Sequence, residues 1–140
     1  MSKKTGLDIG DVRIGVAVSD LLGLIANPRE TYTRQTPKKD AEYFKSFVER
    51  EGIDEMVLGL PVNMDGTSGE RVKIVRAYGD MLQENIPGIK ISYMDERLTT
   101  VQAERSLIAS DMRRDKRKQV IDQVAACIIL QSHLDKLSRR

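Results

Sequence analysis

Residues 6–20, "GLDIGDVRIGVAVSD", place an acidic side chain in the middle of a segment that otherwise has the pattern of a buried β-strand. Asp8 lies between the apolar residues Leu7 and Ile9. Burying a carboxylate is energetically costly unless it has a partner. The partner of Asp8 therefore has to be found elsewhere in the chain, or be a bound cation.

The segment predicts two short strands, at residues 5–9 and 13–19, joined by a tight turn. A weaker strand near residues 29–33 follows a second turn, so the first three strands are expected to form an antiparallel meander. Beyond this point, helical and strand patterns alternate. In order, they are a helix between Thr36 and Gly52, the strand "EMVLGLP", a helix from about Glu70 to Asn85, the strand "IKISYMDE", a helix from Thr99 towards Ser110 and a last helix from about Arg117 to Leu137.

This order of elements predicts an α/β fold with one mixed five-stranded sheet and helices on both faces. Strands separated by helices need parallel crossovers, whereas the first three strands are antiparallel. Local signals mark the helix starts. Thr36 and Ser68 are candidate caps, and Thr99 with Gln102 has the spacing of a capping box.

The amino-acid composition argues against some classes of function. A chain of 140 residues, 40% apolar and 31% charged, fits one globular domain over residues 1–140. Four Tyr, two Phe and no Trp argue against a broad aromatic platform for single-stranded nucleic acid. No apolar run approaches the roughly 20 residues that span a bilayer, and the N-terminus lacks a signal-peptide pattern. We therefore expect a cytoplasmic protein with no membrane partner.

Acidic residues recur at the ends of the predicted elements. Asp95 and Glu96 end a buried strand, and Asp122 lies on an otherwise small and apolar face of the last helix. Sites in open α/β sheets gather at the carboxyl ends of central strands, so we expect these acids to meet Asp8. Strand alternation places Asp95 and Glu96 on opposite faces, and Glu96 is the favoured ligand of the two.

Carboxylates that converge on one place repel one another unless a cation joins them. Carboxylate oxygens suit Mg²⁺ or Mn²⁺. Two such ions, about 4 Å apart, would activate water and stabilise the leaving oxygen in phosphodiester hydrolysis. The acids therefore indicate a metal-dependent phosphodiesterase, with Asp8, Asp95, Glu96 and Asp122 as candidate ligands.

Each acid also has a structural interpretation. Asp8 could pair with Arg13 or cap the turn, and Glu96 could pair with Arg97. Asp122 could interact with the dipole near the N-terminus of its helix. Three acids at element ends are less easily explained by three separate roles than by one shared site.

The motifs resemble those of one family over essentially the whole chain. "GLDIGDVRIGVAVSD", "VLGLPVNMDGTSGER", "DERLTTVQAE" and "RRDKRKQVIDQVAACIILQSHLD" are similar, in this order, to motifs of the YqgF (RuvX) family. The resemblance implies a ribonuclease H-like fold related to RuvC-type Holliday-junction resolvases. It also implies a catalytic set of Asp8, Glu96 (or Asp95) and Asp122 in a nuclease that processes the 5′ end of precursor 16S rRNA. Junction resolution is the older proposal for the family.

The first motif departs from the family pattern, which commonly reads D-x-G-T-K-R-I-G. Asp11 and Val12 replace the Thr and Lys here, whereas R-I-G remains at residues 13–15. A substrate contact made by the usual Thr-Lys pair is therefore in doubt, but the expected metal-binding role of Asp8 is unaffected.

Basic residues near the acids are candidates for contacts with a nucleic-acid backbone. In "PVNMDGTSGER", Asp65-Gly66 indicates a turn, and the helix that follows offers backbone amides to a phosphate. The run "RRDKRK" precedes Asp122 and would make salt-sensitive contacts that are independent of sequence. The predicted nucleic-acid-binding residues are Arg13, Asn63, Arg71, Arg97, Arg113, Arg114, Lys116, Arg117 and Lys118. No catalytic role is assigned to His133.

The leading hypothesis is a nuclease that acts on precursor 16S rRNA, free or in a ribosomal particle, as a monomer or homodimer. A resolvase acting on four-way DNA junctions is the first alternative and would work as a symmetric dimer. An actin-like or sugar-kinase ATPase also begins with D-x-G but needs two similar domains, and 140 residues hold only one. A non-catalytic nucleic-acid-binding module is the last alternative.

Overall fold

The computed structural model describes residues 2–63, 65–98 and 114–139. Its strands are β1 (Lys3–Ile9), β2 (Arg13–Ser19), β3 (Ala26–Thr33), β4 (Ile53–Leu60) and β5 (Lys90–Asp95). They form one sheet in the order β3-β2-β1-β4-β5. β2 pairs antiparallel with β1 and β3, whereas β4 pairs parallel with β1 and β5. The predicted mixed sheet is confirmed, and its third strand begins earlier than residue 29.

The described helices are α1 (Pro37–Glu51), α2 (Glu70–Asn85) and α3 (Arg114–Ser138). Thr36 caps α1 as predicted, because its side chain accepts a hydrogen bond from the Lys39 amide. The prediction that Ser68 caps α2 was wrong, since Gly69 is the capping residue and no side chain caps this end. The described part of α3 already includes Arg114, three residues ahead of the predicted start near residue 117.

The chain after β5 forms a single 3-10 turn, Glu96–Leu98. The helix predicted from Thr99 towards Ser110, together with its Thr99–Gln102 cap, lies outside the described residues. Within the described part of the chain, no helix combines the length and the apolar character needed to cross a membrane.

Helices cover both faces of the sheet, as predicted, and strand alternation decides which residues face which helix. Leu7 and Ile9 belong to the cluster packed with α1 and α2. Ala17 and Val57 belong to a second cluster, packed with α3. Successive residues of a strand point to opposite faces, so Asp8 lies on the face that α3 covers.

A buried ionic cluster centred on Glu55 holds the end of the sheet opposite Asp8. The Glu55 side chain is only 2% exposed, and its carboxylate lies 3.0 Å from Lys4 Nζ. His133 Nε2 lies 3.3 Å away and Lys90 Nζ 3.7 Å away, and the Ser92 hydroxyl donates to the same carboxylate. These contacts connect β1, β4, β5 and α3.

The cluster changes the acidity of Glu55. Burial by itself raises the pKa of this carboxyl, but the close contacts with His133, Ser92 and Lys4 outweigh burial and hold the pKa well below its ordinary value. Glu55 is therefore charged in the folded protein and contributes stability in that form.

We predict that Glu55→Gln lowers the free energy of unfolding at pH 7 by about 3–5 kcal/mol, because it breaks a buried ionic cluster. The pKa of Glu55 is lower in the folded than in the unfolded protein. The stabilisation is therefore complete above the unfolded pKa, near 4.5, and declines as the pH falls below it. Urea unfolding at pH 7 and at pH 3 should show a smaller difference between the two proteins at pH 3.

The matched control is Glu70→Gln, because Glu70 is exposed and pairs only with exposed Lys73 among the described residues. Its effect on the free energy of unfolding should stay below about 1 kcal/mol. Equal losses in the two variants would contradict the role given to Glu55.

Candidate active site

A cavity of about 260 Å³ opens beside the carboxyl ends of β1 and β4. Three carboxylates, one guanidinium and several small or apolar groups form its lining. These residues are Asp8, Ile9, Gly10, Gly59, Pro61, Arg71, Glu96 and Asp122. The structure thus brings Asp8, Glu96 and Asp122 together from three separate elements.

Local structure explains how Asp8 and Glu96 reach the cavity. Asp8 is the penultimate residue of β1 and is 8% exposed. Glu96 begins the 3-10 turn directly after β5 and is 7% exposed. A Cβ built on Gly59 would lie 3.1 Å from Glu96 Oε1. The glycine in β4 therefore leaves room for the Glu96 carboxylate.

Asp122 is positioned by the close approach of α3 to the sheet. A Cβ on Gly15 would lie 1.9 Å from the Asp122 carbonyl oxygen, and a Cβ on Gly6 would lie 2.7 Å from the Ala126 carbonyl oxygen. Only glycine allows such an approach of helix backbone to strand. Gly15 is also the cross-strand partner of Asp8, so this contact places Asp122 next to Asp8.

Asp122 forms an ion pair with Arg13 in which Arg13 Nε lies 3.1 Å from Asp122 Oδ2. Both side chains are partly buried. The sequence suggested Arg13 as a partner of Asp8, whereas this bond reaches the acid on α3. Arg13 therefore compensates charge on the Asp122 side of the cavity.

The cavity has the donor chemistry of a site for a hard divalent cation, because its three carboxylates supply oxygen ligands. Within the ranges that the structure describes, no three acidic, histidine or cysteine side chains lie close enough together to hold one ion. Asp8, Glu96 and Asp122 share a cavity but are not at coordination distance in this conformation. Metal binding would require their side chains to converge.

Asp95 does not line the cavity. Its Oδ2 accepts hydrogen bonds from Arg97 Nη2 at 2.7 Å and Nε at 3.0 Å, and its Oδ1 accepts one from the Arg97 amide at 2.9 Å. The side-chain bonds from Arg97 hold the pKa of Asp95 below its ordinary value. Arg97 thus pairs with Asp95, whereas the sequence suggested Glu96 as its partner. Of the two candidate ligands, the geometry favours Glu96.

The loop after β4 is organised by its own hydrogen bonds. Asp65 Oδ1 accepts from the Thr67 amide at 2.9 Å and from the Thr67 hydroxyl at 2.7 Å, which confirms the predicted turn. Asn63 Nδ2 donates to Thr67 Oγ1 at 3.0 Å. Asn63 lies outside the cavity lining, and its contact with substrate stays a prediction.

Arg71, in the first turn of α2, contributes the positive charge to the cavity lining. Its Nη1 donates to the Asp11 carboxylate, and its Nη2 donates to the Ile9 carbonyl oxygen at 3.2 Å. The contact between Arg71 and Asp11 was missed from the sequence, where Asp11 stands out only as a departure from the family motif. The ion pair holds a guanidinium at the edge of the acidic cavity.

The basic run lies at the start of α3. Arg114, Lys116, Arg117 and Lys118 belong to its first turns, and Arg113 lies outside the described residues. Asp122 is eight positions after Arg114, which corresponds to about 12 Å along a helix. The predicted nucleic-acid contacts of this run stay predictions.

Comparison with known proteins identifies the family. A family model described as "RuvX: Holliday junction resolvase" matches residues 2–136. The chain belongs to the RuvX family. A relative from Halothermothrix orenii is 48% identical over 130 residues, covering 93% of this chain and 92% of the relative. A relative from Clostridioides difficile has the same identity and coverage, and both are named "Putative pre-16S rRNA nuclease".

Solved structures confirm that this RuvX-family chain has the predicted ribonuclease H-like fold. Thermus thermophilus RuvC in complex with a Holliday junction substrate superposes with a TM-score of 0.61 at 10% identity, covering 99% of this chain and 97% of RuvC. Fowlpox virus resolvase, also solved with junction DNA, gives 0.55 at 14% identity, covering 96% and 98%. At these identities the likeness concerns the fold alone.

We predict that Gly15→Ala destabilises the protein by about 1–3 kcal/mol, because the added methyl group forces α3 away from β2. Urea unfolding measures the loss. Gly69→Ala is the control, since its Cβ would lie 3.7 Å from its nearest neighbour, Asn63 Nδ2, which is an ordinary contact. A Gly15→Ala protein as stable as the control would contradict the close contact between α3 and β2.

Proposed function

We propose that this protein is a metal-dependent nuclease that hydrolyses phosphodiester bonds and processes the 5′ end of precursor 16S rRNA in the cytoplasm. The observation that carries the proposal is the meeting of Asp8, Glu96 and Asp122 in one cavity that Arg71 also lines. Membership of the RuvX family supports the phosphodiester chemistry. The names of the relatives support rRNA as the substrate.

The acids and the arginines have different roles in this reaction. Asp8, Glu96 and Asp122 would hold one or two Mg²⁺ or Mn²⁺ ions through their carboxylate oxygens. When bound, such ions supply an activated water and stabilise the leaving oxygen. Arg71 binds an oxygen of the scissile phosphate through its guanidinium, which suits phosphate geometry. Arg13 compensates charge on Asp122 through its ion pair.

The rest of the nucleic acid would follow positive charge away from the cavity. The first turns of α3 carry four basic residues ahead of Asp122, and Arg97 lies just after Glu96. Contacts of these side chains with phosphates would position the strand without reading its sequence. These contacts would weaken as the salt concentration rises. Binding releases counterions from the nucleic acid, and this release is less favourable at high salt.

Junction resolution is the second candidate function. The description of the family model favours it, since that description names a Holliday junction resolvase. A resolvase cuts two strands of a symmetric substrate, so this function would require a dimer. Substrate choice therefore distinguishes the two functions more directly than the chemistry does.

The test is cleavage in Mn²⁺ of a precursor 16S rRNA fragment and of a four-way DNA junction. We predict that the wild type cuts the RNA and that Asp8→Asn and Asp122→Asn each lower the rate more than about 100-fold, because ligand loss exceeds the cost of losing an outer-shell partner. Asp54→Asn is the control. Asp54 is exposed and pairs with Lys4 at the other end of the sheet, so its rate should match the wild type.

The possible results of this cleavage assay distinguish RNA processing, junction resolution and nucleic-acid binding without catalysis. Cleavage of the junction alone, by a dimer, would replace RNA processing with junction resolution. Cleavage that persists in both cavity variants would contradict the assigned acids. If free RNA is not cut, the same assay on a precursor ribosomal particle decides, and binding without cleavage there would identify a non-catalytic module.

A further inference from the structure

The turn between β1 and β2 connects the two sides of the acidic cavity. It begins two residues after Asp8 and ends at Arg13, whose guanidinium bonds to Asp122. Within the turn, the Gly10 amide donates to the Arg13 carbonyl oxygen at 2.9 Å. Movement of this short segment would therefore displace Asp8 at one end of the turn. At the other end it would displace Arg13, the partner of Asp122.

Arg34, the residue after β3, is bonded to this turn twice. Its backbone amide donates to the Val12 carbonyl oxygen at 2.8 Å, and its Nη1 donates to the Gly10 carbonyl oxygen at 2.8 Å. The guanidinium also lies over the ring of Tyr78, with Cζ 4.9 Å from the ring centroid. Stacking on one face and donation from the edge fix the guanidinium in one orientation.

The ring of Tyr78, on which Arg34 stacks, is held in place by a buried acidic side chain. The Tyr78 hydroxyl donates to Asp40 Oδ2 at 3.1 Å, and Asp40 is only 1% exposed. The same carboxylate accepts a hydrogen bond from the Tyr32 hydroxyl at 2.6 Å and one from the Gln35 backbone amide at 2.8 Å. A continuous set of contacts thus runs from a buried acid on α1, through Tyr78 and Arg34, to the turn beside Asp8.

We propose that Arg34 is a positioning residue of the nuclease site. It holds the β1–β2 turn, and with it the backbone positions from which Asp8 and Arg13, the partner of Asp122, extend towards the cavity. The inference rests on the proposed function, because it treats these acids as metal ligands. Arg34 itself does not line the cavity, so it acts through the turn and not through the substrate.

Arginine suits this position better than lysine. A lysine ammonium can reach either the ring face or the Gly10 carbonyl oxygen, but it lacks the planar group that does both at once. Outer-shell residues that orient ligands change metal affinity or activity by about 10–100-fold when they are mutated. Arg34→Ala should therefore weaken Mn²⁺ binding and lower kcat about 10-fold or more, while KM changes less than twofold. Arg34→Lys should recover only part of the loss.

Arg76→Ala is the matched control. Arg76 stacks on the ring of Tyr93 with the same 4.9 Å separation that joins Arg34 to Tyr78. Within the described part of the chain, Arg76 makes no hydrogen bond to the turn, so its loss tests stacking by an arginine alone. Mn²⁺ affinity and kcat of this variant should equal those of the wild type.

The experiment measures five quantities for wild type and the three variants: thermal stability, Mn²⁺ affinity by calorimetry, kcat and KM on the RNA fragment, and hydrogen exchange of the amides of residues 10–13. The proposal predicts faster exchange, weaker Mn²⁺ binding and lower kcat for Arg34→Ala, at a melting temperature close to that of Arg76→Ala. Arg34→Lys should fall between Arg34→Ala and the wild type.

Two results would overturn the proposal. Unchanged exchange and Mn²⁺ affinity in Arg34→Ala would show that Arg34 does not hold the turn, and a change in KM alone would show that it contacts the substrate. A wild-type protein that neither cleaves nor binds Mn²⁺ would instead contradict the proposed function. Amide exchange would then still report whether Arg34 orders the turn.

Discussion

The contact of α3 with the backbone of Gly6 and Gly15 is the constraint on which the rest of the site depends. A side chain at either position would overlap the helix, so the glycines set the distance between helix and sheet. Gly15 of β2 is the direct cross-strand partner of Asp8 in β1, and the backbone of Asp122 packs against Gly15. A helix held farther away could still bury its apolar residues, but its acid would leave the cavity.

The buried acidic side chains at the two ends of the sheet have different surroundings. Glu55 is surrounded by Lys4, His133 and other donors, so its charge is stabilised within the protein. At the other end, Arg71 and three carboxylates line one cavity, and Asp122 is bonded to Arg13. The carboxylate oxygens of this second end are ligands that suit a divalent cation. One end of the sheet thus provides stability, and the other is suited to chemistry.

The order of the elements and the meeting of the three acids were predictable, because strand alternation and helix periodicity decide which residues share a face. The ion pairs were not. Arg13 lies 109 residues from Asp122, and Arg71 lies 60 residues from Asp11. No local pattern selects such partners from many candidates. Ser68 failed as a cap for a related reason, since the chain enters α2 one residue later than its side-chain chemistry suggested.

The central claim is that the three carboxylates of the cavity form one divalent-metal site. The most direct test is a crystal structure with Mn²⁺, in which anomalous scattering locates the ion. We predict at least one ion in the cavity, bonded to oxygen atoms of Asp8 and of Glu96 or Asp122 at about 2.0–2.2 Å. A cavity that stays empty at millimolar Mn²⁺, or an ion bound by Asp95 with the three acids unmoved, would contradict it.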